Sequence, residues 1–548
     1  MSARGRRGAD ALARTLARAG VKKLFALSGN HVMPVFDAAL DVGLDLVHVR
    51  HEAAAVHMAD AWARLTGEPG VALVTGGPGH ANAISALYTA SMAESPVVLL
   101  SGHAPSGELG MGAFQEMRQA NLAAPLAKAS WVTADAGVVA WDVDRALRLA
   151  RSGRPGPVHL SLPTDALEDG APTDEDPPVE DALAEAMPIS DSRAESLLDR
   201  LMGAARPLIL CGPALMTRSG RTRMEALESA CGIPVVGMES PRGIGDPSLG
   251  AFAQMLPSAD VVLLLGKRLD FTLKFGRAPA FSMVCEFLQV DPEAAERERA
   301  RKAVGPRLAA SVRADVVSAL ESLTRVALRR AAIRGAWRSD VRSAIAHRPA
   351  EWDTAAASEP GRLHPVQACR PLQALLNAHP EAVMVADGGE FGQWAQACVA
   401  APHRVINGMA GSIGAAIPFA VAARAAKPGA PVIAFLGDGT FGFHPAEIDT
   451  ALRYELPFVA IVGNDARWNA EHNIQLRDYG PDRAHGCELL PARYDLVVAA
   501  LGGHGELVER AEDLTPAIAR ALASGKPACV NVMIESHAAP IVRRSRST

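Results

Sequence analysis

Short apolar runs of about five residues, each closed by glycine or a polar turn and followed by a stretch of helical length, recur from one end of the chain to the other. In the first part they are KLFAL, DLVHV, GVALVT and PVVLLSG, separated by MPVFDAALDVG, EAAAVHMADAWARLTG and ANAISALYTASMAES. Runs this short are not helices, and a strand that is apolar on both faces must be covered on both sides. The pattern therefore predicts buried parallel strands joined by crossover helices. RPLILCG, ADVVLLLG and CEFLQVD repeat it in the middle, and AVMVADGG, HRVINGM, PVIAFLGDG, PFVAIVGND and PACVNVMIE near the end. The fold class read from this is α/β, as three doubly wound parallel-sheet domains. Two seams, EDGAPTDEDPPVEDALAEAMP at about residues 168–190 and AIAHRPAEWDTAAASEPGR at about 345–362, show acidic, proline and small residues with no face to bury. They divide the chain into 1–168, 190–345 and 362–535.

Lysine and arginine total 55 against 60 aspartates and glutamates, giving a net charge of -5 and no field for gathering a nucleic acid. Arg14 and Arg18 interrupt the first twenty residues where an export signal needs an unbroken apolar stretch. The most apolar segment, GSIGAAIPFAVAARAA, is too short and too interrupted for a membrane span. The seven cysteines are odd in number and contain no CxxC pair, which suits free thiols in a reducing cytoplasm. The expectation is a cytoplasmic protein with neither nucleic-acid nor membrane partners.

Ligands of open parallel sheets bind beyond the carboxyl ends of the strands. In the first block those positions hold Ser28 to His31, Arg50 to Glu52, and GGPGHAN at 76–82. The strongest signal is LGDGTFGFHPAEIDTALRYELPFVAIVGNDARWN, where Asp438 and Asp465 end consecutive strands 27 residues apart. Two hard oxygen donors on one sheet edge, beside glycines whose N–H groups can approach a phosphate, describe a seat for Mg²⁺ and a diphosphate.

These motifs resemble those of the thiamine diphosphate (ThDP) enzymes of the acetolactate synthase group, which also contains benzaldehyde lyase and the acyl-CoA lyases and decarboxylases. The likeness covers nearly the whole chain. It implies a pyrimidine-binding domain, a central nucleotide-binding-like domain and a diphosphate-binding domain, in that order. The family pair NN after GDG reads Asn464–Asp465 here. The resemblance implies Asp438, Asp465 and the backbone carbonyl of Arg467 as metal ligands, with Asn464 replacing Asp465 if the register slips by one. Gly437, Gly439 and Thr440 flank the first of these. RHEAAAVHMADAWAR resembles the helix whose glutamate, here Glu52, meets the aminopyrimidine and promotes its imino tautomer. VTGGPGHAN implies Thr75, Gly79 and Asn82 around the pyrimidine. GMAGSIGAAIP implies Gly411 and the apolar wedge Ile413, and ADGGEFGQW implies Gly389, Glu390 and Phe391 at the diphosphate.

AFQEMRQANLAAPLAKAS matches a pattern that places Gln115 and Lys128 on the substrate side. His31 stands where benzaldehyde lyase has a histidine, and is read either as a proton shuttle or as a loop cap. Trp468, Glu471 and His472 crowd the region that decides which substrate enters. In the central block GKRLDFTLKFG replaces the GxRxDDR segment of relatives, some of which bind FAD and others ADP or coenzyme A. Arg268 and Asp291 are the only hints, and without a glycine fingerprint FAD is unsupported. The reading is a ThDP- and Mg²⁺-dependent C–C lyase or carboligase acting on 2-oxoacids or 2-hydroxyketones, acetolactate synthase-like. Alternatives are a benzaldehyde lyase-like enzyme, a 2-hydroxyacyl-CoA lyase or decarboxylase, and a non-catalytic family member; a nicotinamide oxidoreductase lacks its GxGxxG. The expected partners are small carbonyl substrates and copies of the chain itself, a homodimer or homotetramer in which Glu52 of one subunit faces Asp438 of another.

Overall fold

The computed structural model describes residues 6–171, 187–333 and 335–545. The first sheet contains β1 (Lys23–Ala26), β2 (Asp45–His48), β3 (Gly70–Val74), β4 (Val97–His103), β5 (Ala129–Val132) and β6 (Val158–Pro163), in the order β2-β1-β3-β4-β6-β5. The second contains β7 (Pro207–Cys211), β8 (Val235–Gly237), β9 (Val261–Leu265), β10 (Glu286–Val290) and β11 (Leu308–Val312), ordered β11-β10-β9-β7-β8. The third is built from β12 (Val383–Ala386), β13 (His403–Ile406), β14 (Val432–Gly437), β15 (Val459–Asn464), β16 (His504–Val508) and β17 (Ala528–Met533), ordered β13-β12-β14-β15-β17-β16. Every pairing within these sheets is parallel. The three α/β domains of the sequence reading are present, and each apolar run named above forms a strand. Five further strands were not anticipated: β5, β6, β8, β11 and β16.

The Glu52–Thr66 helix is buried from Glu52 through Ala63, on all its faces. Its alanines let the Pro78–Met92 and Ala416–Ala426 helices approach closely, and one apolar core passes from the first domain into the third. Arg64 closes this contact by donating to Ile406 O at 2.6 Å and to Asp60.

Buried charges join the first domain to the second. Arg154 pairs with both Glu94 and Asp291 and donates to Gly266 O at 3.1 Å, while Glu94 accepts from the Ala214 N–H at 3.2 Å. Arg268 lies 3.8 Å from Glu94 and 3.5 Å from Glu296. The two residues that hinted at a nucleotide, Arg268 and Asp291, are thus engaged in the domain interface, and neither argues for FAD.

Most of the first seam, residues 172–186, lies outside the described residues. The second seam departs from expectation because it does bury a face. Trp352 is buried, its ring 5.2 Å from that of Trp394, and Arg348 donates to Ala397 O at 2.6 Å. A single tryptophan and an arginine docked on carbonyls need no apolar periodicity, which is why the sequence pattern did not show them. No helix among the described residues is long and apolar enough to cross a membrane.

Candidate active site

A cavity of about 260 Å³ opens at the carboxyl edge of the third sheet. Gly388 to Phe391 after β12, Gly411 and Ile413 after β13, Gly437 to Thr440 at the end of β14, and Asp465 with Arg467 after β15 all line it. Gly389 has φ +78°, and no atom lies within 4 Å of where its Cβ would be; the Cβ position of Gly437 is equally open. Bare backbone therefore faces the cavity, as close approach to a phosphate demands. Elsewhere the glycines make room for rings. A Cβ on Gly463 would lie 2.3 Å from the Phe391 ring, and one on Gly439 2.7 Å from Trp468.

Asp438 begins the short Asp438–Phe441 helix and is buried, and its Oδ2 has no hydrogen-bond partner. Burial pushes its pKa up to about 6 against the pull of backbone N–H groups. Burial, and then the charge of Asp438, push Asp465 up to about 7. Two carboxylates confined this way repel each other, and a divalent cation between them would relieve both the repulsion and the orphaned oxygen. No cluster of three or more His, Cys, Asp or Glu side chains suited to a metal occurs among the described residues. A cation here would complete its shell from backbone carbonyls and from the phosphate oxygens of a ligand.

Asn464 is turned away, with its amide bonded to Ala492 O and Asn531 Oδ1. The side chain available at this edge is therefore Asp465. Asp387, unnoticed in the sequence, is buried after β12, and burial raises its pKa to about 6. It accepts from the N–H groups of Gly388, Gly414 and Ala416, which fixes the turn carrying Ile413.

At the carboxyl edge of the first sheet, Glu52 opens its helix, 8% exposed, and accepts from Asn82 Nδ2 at 3.0 Å. A Cβ on Gly79 would stand 2.7 Å from Thr75 Cγ2 and 3.3 Å from Glu52 Oε1, so Gly79 keeps the carboxylate accessible. His31 Nδ1 is 3.2 Å from Thr75 Oγ1 and its ring centroid 6.3 Å from that of Phe114; burial, then the neighbouring His103, lower its pKa. Gln115 sits in a turn at φ +58°, its backbone against Gly77. Its neighbour Gln119, not singled out in the sequence, is the buried amide that fixes the glycine loop: it accepts from Gly77 N and donates to Gly102 O and Ser161 Oγ.

Glu52, Asn82, His31 and Gln115 do not line the Asp438 cavity; its described walls come from the second and third domains. Each half of the constellation is assembled within one chain, but the two halves are not brought together there.

Comparison with known families agrees with this geometry. Residues 6–122 match the thiamine pyrophosphate enzyme N-terminal TPP binding domain, 194–323 the central domain and 387–532 the C-terminal TPP binding domain. The chain belongs to the thiamine diphosphate enzyme family. It is 32% identical to the acetolactate synthase large subunit IlvG of Mycobacterium tuberculosis, over 96% of this chain and 95% of the relative. It is 30% identical to human 2-hydroxyacyl-CoA lyase 2, over 96% of this chain and 90% of the relative. The 2-hydroxyacyl-CoA lyase of Arabidopsis thaliana is 27% identical, over 96% and 95%. The protein is a thiamine diphosphate-dependent lyase/carboligase.

Within this family frame, one sequence-derived assignment is corrected. Lys128 precedes β5 and so stands at the amino edge of the first sheet, opposite Glu52; its Nζ bonds Leu149 O, Ser152 O and Ser152 Oγ at the end of the Val139–Arg151 helix. It does not face the substrate side. Trp468 and Glu471 line the ThDP-family cavity, whereas His472 does not. Arg242 and His537 line it as well and were missed. Arg242 follows β8, so the rule of reading beyond strand ends could have found it; His537 lies past the last strand, where only packing reveals it.

Proposed function

We propose that the protein makes or breaks the carbon–carbon bond beside the carbonyl of 2-oxoacids or 2-hydroxyketones, using Mg²⁺-bound ThDP. The observation that carries the metal and diphosphate is the unpartnered Asp438 Oδ2 beside Asp465, at a cavity edged with bare glycine backbone. Asp438, Asp465 and the Arg467 carbonyl would hold the cation, while Gly389, Glu390, Phe391, Gly437, Gly439 and Thr440 would receive the diphosphate. When bound, ThDP supplies the electron sink for the carbon–carbon chemistry. Glu52 would hold a proton at the pyrimidine ring, with Asn82 fixing one of its oxygens, and Ile413 would present an apolar surface beneath the cofactor. His31 and Gln115 sit at the same edge as Glu52, where they would meet the substrate.

The separation of Glu52 from the Asp438 cavity supports a homodimer or homotetramer in which each active site takes its two halves from two subunits. Seven cysteines without a disulfide support a cytoplasmic location. A second reading, cleavage of 2-hydroxyacyl-CoA esters, draws on the likeness to proteins of that name and on Arg242 at the cavity wall.

The test is to incubate the ThDP- and Mg²⁺-loaded enzyme with 2-oxoacids, 2-hydroxyketones and 2-hydroxyacyl-CoA esters, and to identify products by mass. Carboligation or decarboxylation of a 2-oxoacid supports the first reading, and aldehyde release from the CoA ester alone supports the second. No turnover across the panel would dismiss both.

A further inference from the structure

The Gly389–Cys398 helix has its first turn in the active-site cavity and its last turn in a second cavity, of about 410 Å³, between the central and C-terminal domains. The charged residues lining this second cavity are Arg221, Arg348, Arg370 and Arg404, and no aspartate or glutamate is among its lining residues. Met216, Leu249 and Trp352 give it an apolar side.

Two of the arginines are paired just outside the walls, Arg404 with Glu239 at 2.8 Å and Arg370 with Asp353 at 2.7 Å. The third nearby carboxylate, the buried Asp246, accepts from Ser248 N at 2.8 Å. Arg348 donates to the carbonyls of Ala397, Ile345, His347 and Ser248. Arg221 reaches only Pro402 O, at a long 3.4 Å. Neither Arg221 nor Arg348 has a carboxylate within 4 Å among the described residues; burial is the main cause that lowers the pKa of both, with more distant Glu239 and Glu225 favouring and Arg404 opposing the charge on Arg221, and Asp246 favouring and Arg370 opposing that on Arg348. Guanidinium groups taken partly out of water and set beside one another are costly unless an anion joins them. Their planar forks match the oxygens of a phosphate, and the volume falls in the range of roughly 300–1,000 Å³ usual for small-molecule sites.

We propose that this cavity is a second ligand site, for a phosphorylated small molecule, with Arg221 as its open donor. It is separate from the proposed ThDP seat, sharing no lining residue with it, and lies between the central and C-terminal domains.

The test uses enzyme already loaded with ThDP and Mg²⁺, so that the active-site diphosphate seat is filled. Orthophosphate, pyrophosphate and ADP are titrated in turn by calorimetry and by thermal shift. At least one should bind saturably and raise the melting temperature. Arg221→Gln should weaken that binding about tenfold or more, as loss of a charge-assisted contact does. Arg221→Lys, which keeps the charge without the fork, should fall between the two and serves if the glutamine variant does not fold. Arg223→Gln, on the same helix but paired with Glu321 outside the cavity, should bind like the wild type. Absence of binding by all three probes at millimolar concentration overturns the proposal. So does binding that Arg221→Gln and Arg221→Lys leave unchanged, since the anion would then sit elsewhere.

Discussion

Asn464 is fixed on Asn531: its amide donates to Asn531 Oδ1 at 3.1 Å and to Ala492 O at 3.0 Å, while its own Oδ1 accepts from Ala466 N at 3.2 Å. With its hydrogen-bonding groups engaged between β15 and β17, it leaves Asp465 as the side chain beside Asp438. Asp438→Ala should therefore abolish ThDP retention, whereas Asp465→Asn should keep it, since an amide oxygen is still a hard donor. Asn464→Ala should instead lower stability by about 1–3 kcal/mol, because it leaves buried groups unpaired. Calorimetric ThDP titration and urea unfolding of the three variants separate these outcomes, and loss of ThDP by Asn464→Ala at unchanged stability would assign the metal to Asn464 instead.

Glu52→Gln retains the volume of the side chain and the contact with Asn82, but it cannot cycle a proton. Deuterium exchange at the thiazolium C2 of the bound cofactor, followed without substrate, should slow by about 10²- to 10⁴-fold, with ThDP still bound through the third domain. Exchange at the wild-type rate would reduce Glu52 to a helix-opening carboxylate.

His80 and His159 are both fully buried, with ring centroids 4.5 Å apart and the Nε2 of each lacking a partner. Burial lowers His80 to about 4 and His159 well below its ordinary value. Both are neutral in the fold, so the unfolded chain binds more protons below about pH 6.5. Their contribution to stability is full above that pH and is lost as pH falls towards 4, by up to about 1.4 kcal/mol per unit for each histidine. Asp387, Asp438 and Asp465, whose folded values are raised, act in the opposite direction over part of this range. The measurable quantity is thus the difference between wild type and His80→Asn in urea midpoints from pH 7 to 4. The variant should show the shallower loss, and parallel curves would exclude the pair as an acid-labile element.

Lys128→Met should leave kcat and KM unchanged while reducing stability by about 1 kcal/mol, because the ammonium interacts with the carbonyl end of a helix and not with the active site. A large fall in kcat with stability intact would return Lys128 to the substrate side.

Most strands legible in the sequence are covered on both faces, such as Gly70–Val74 and Val261–Leu265, where every residue is buried; the edge strand Asp45–His48 is an exception. The strands that escaped have physical reasons to do so. Ala129–Val132, Leu308–Val312 and His504–Val508 are sheet edges, mostly half-buried, and lack a continuous apolar run. Val158–Pro163 is interior, but His159 and Ser161 interrupt it, their polarity met by Ser130 and Gln119 from elsewhere in the domain. Val235–Gly237 is only three residues long. The same distinction holds for the site. Asp438 and Glu52 announce themselves at strand ends within motifs, whereas Gln119 and His537 matter through partners distant in sequence.

The first and third sheets share one strand order, so β3 corresponds to β14 and β2 to β13. By that correspondence the Thr75–Gly79 loop occupies the place of Gly437–Thr440, and Glu52 the place of the turn that bears Ile413. Neither copy carries the other's chemistry: no acid follows β3, and none stands in the Gly411–Gly414 turn. One architecture thus serves as two unlike sockets, and a fragment reduced to either would keep a sheet but hold only one end of a two-ended cofactor.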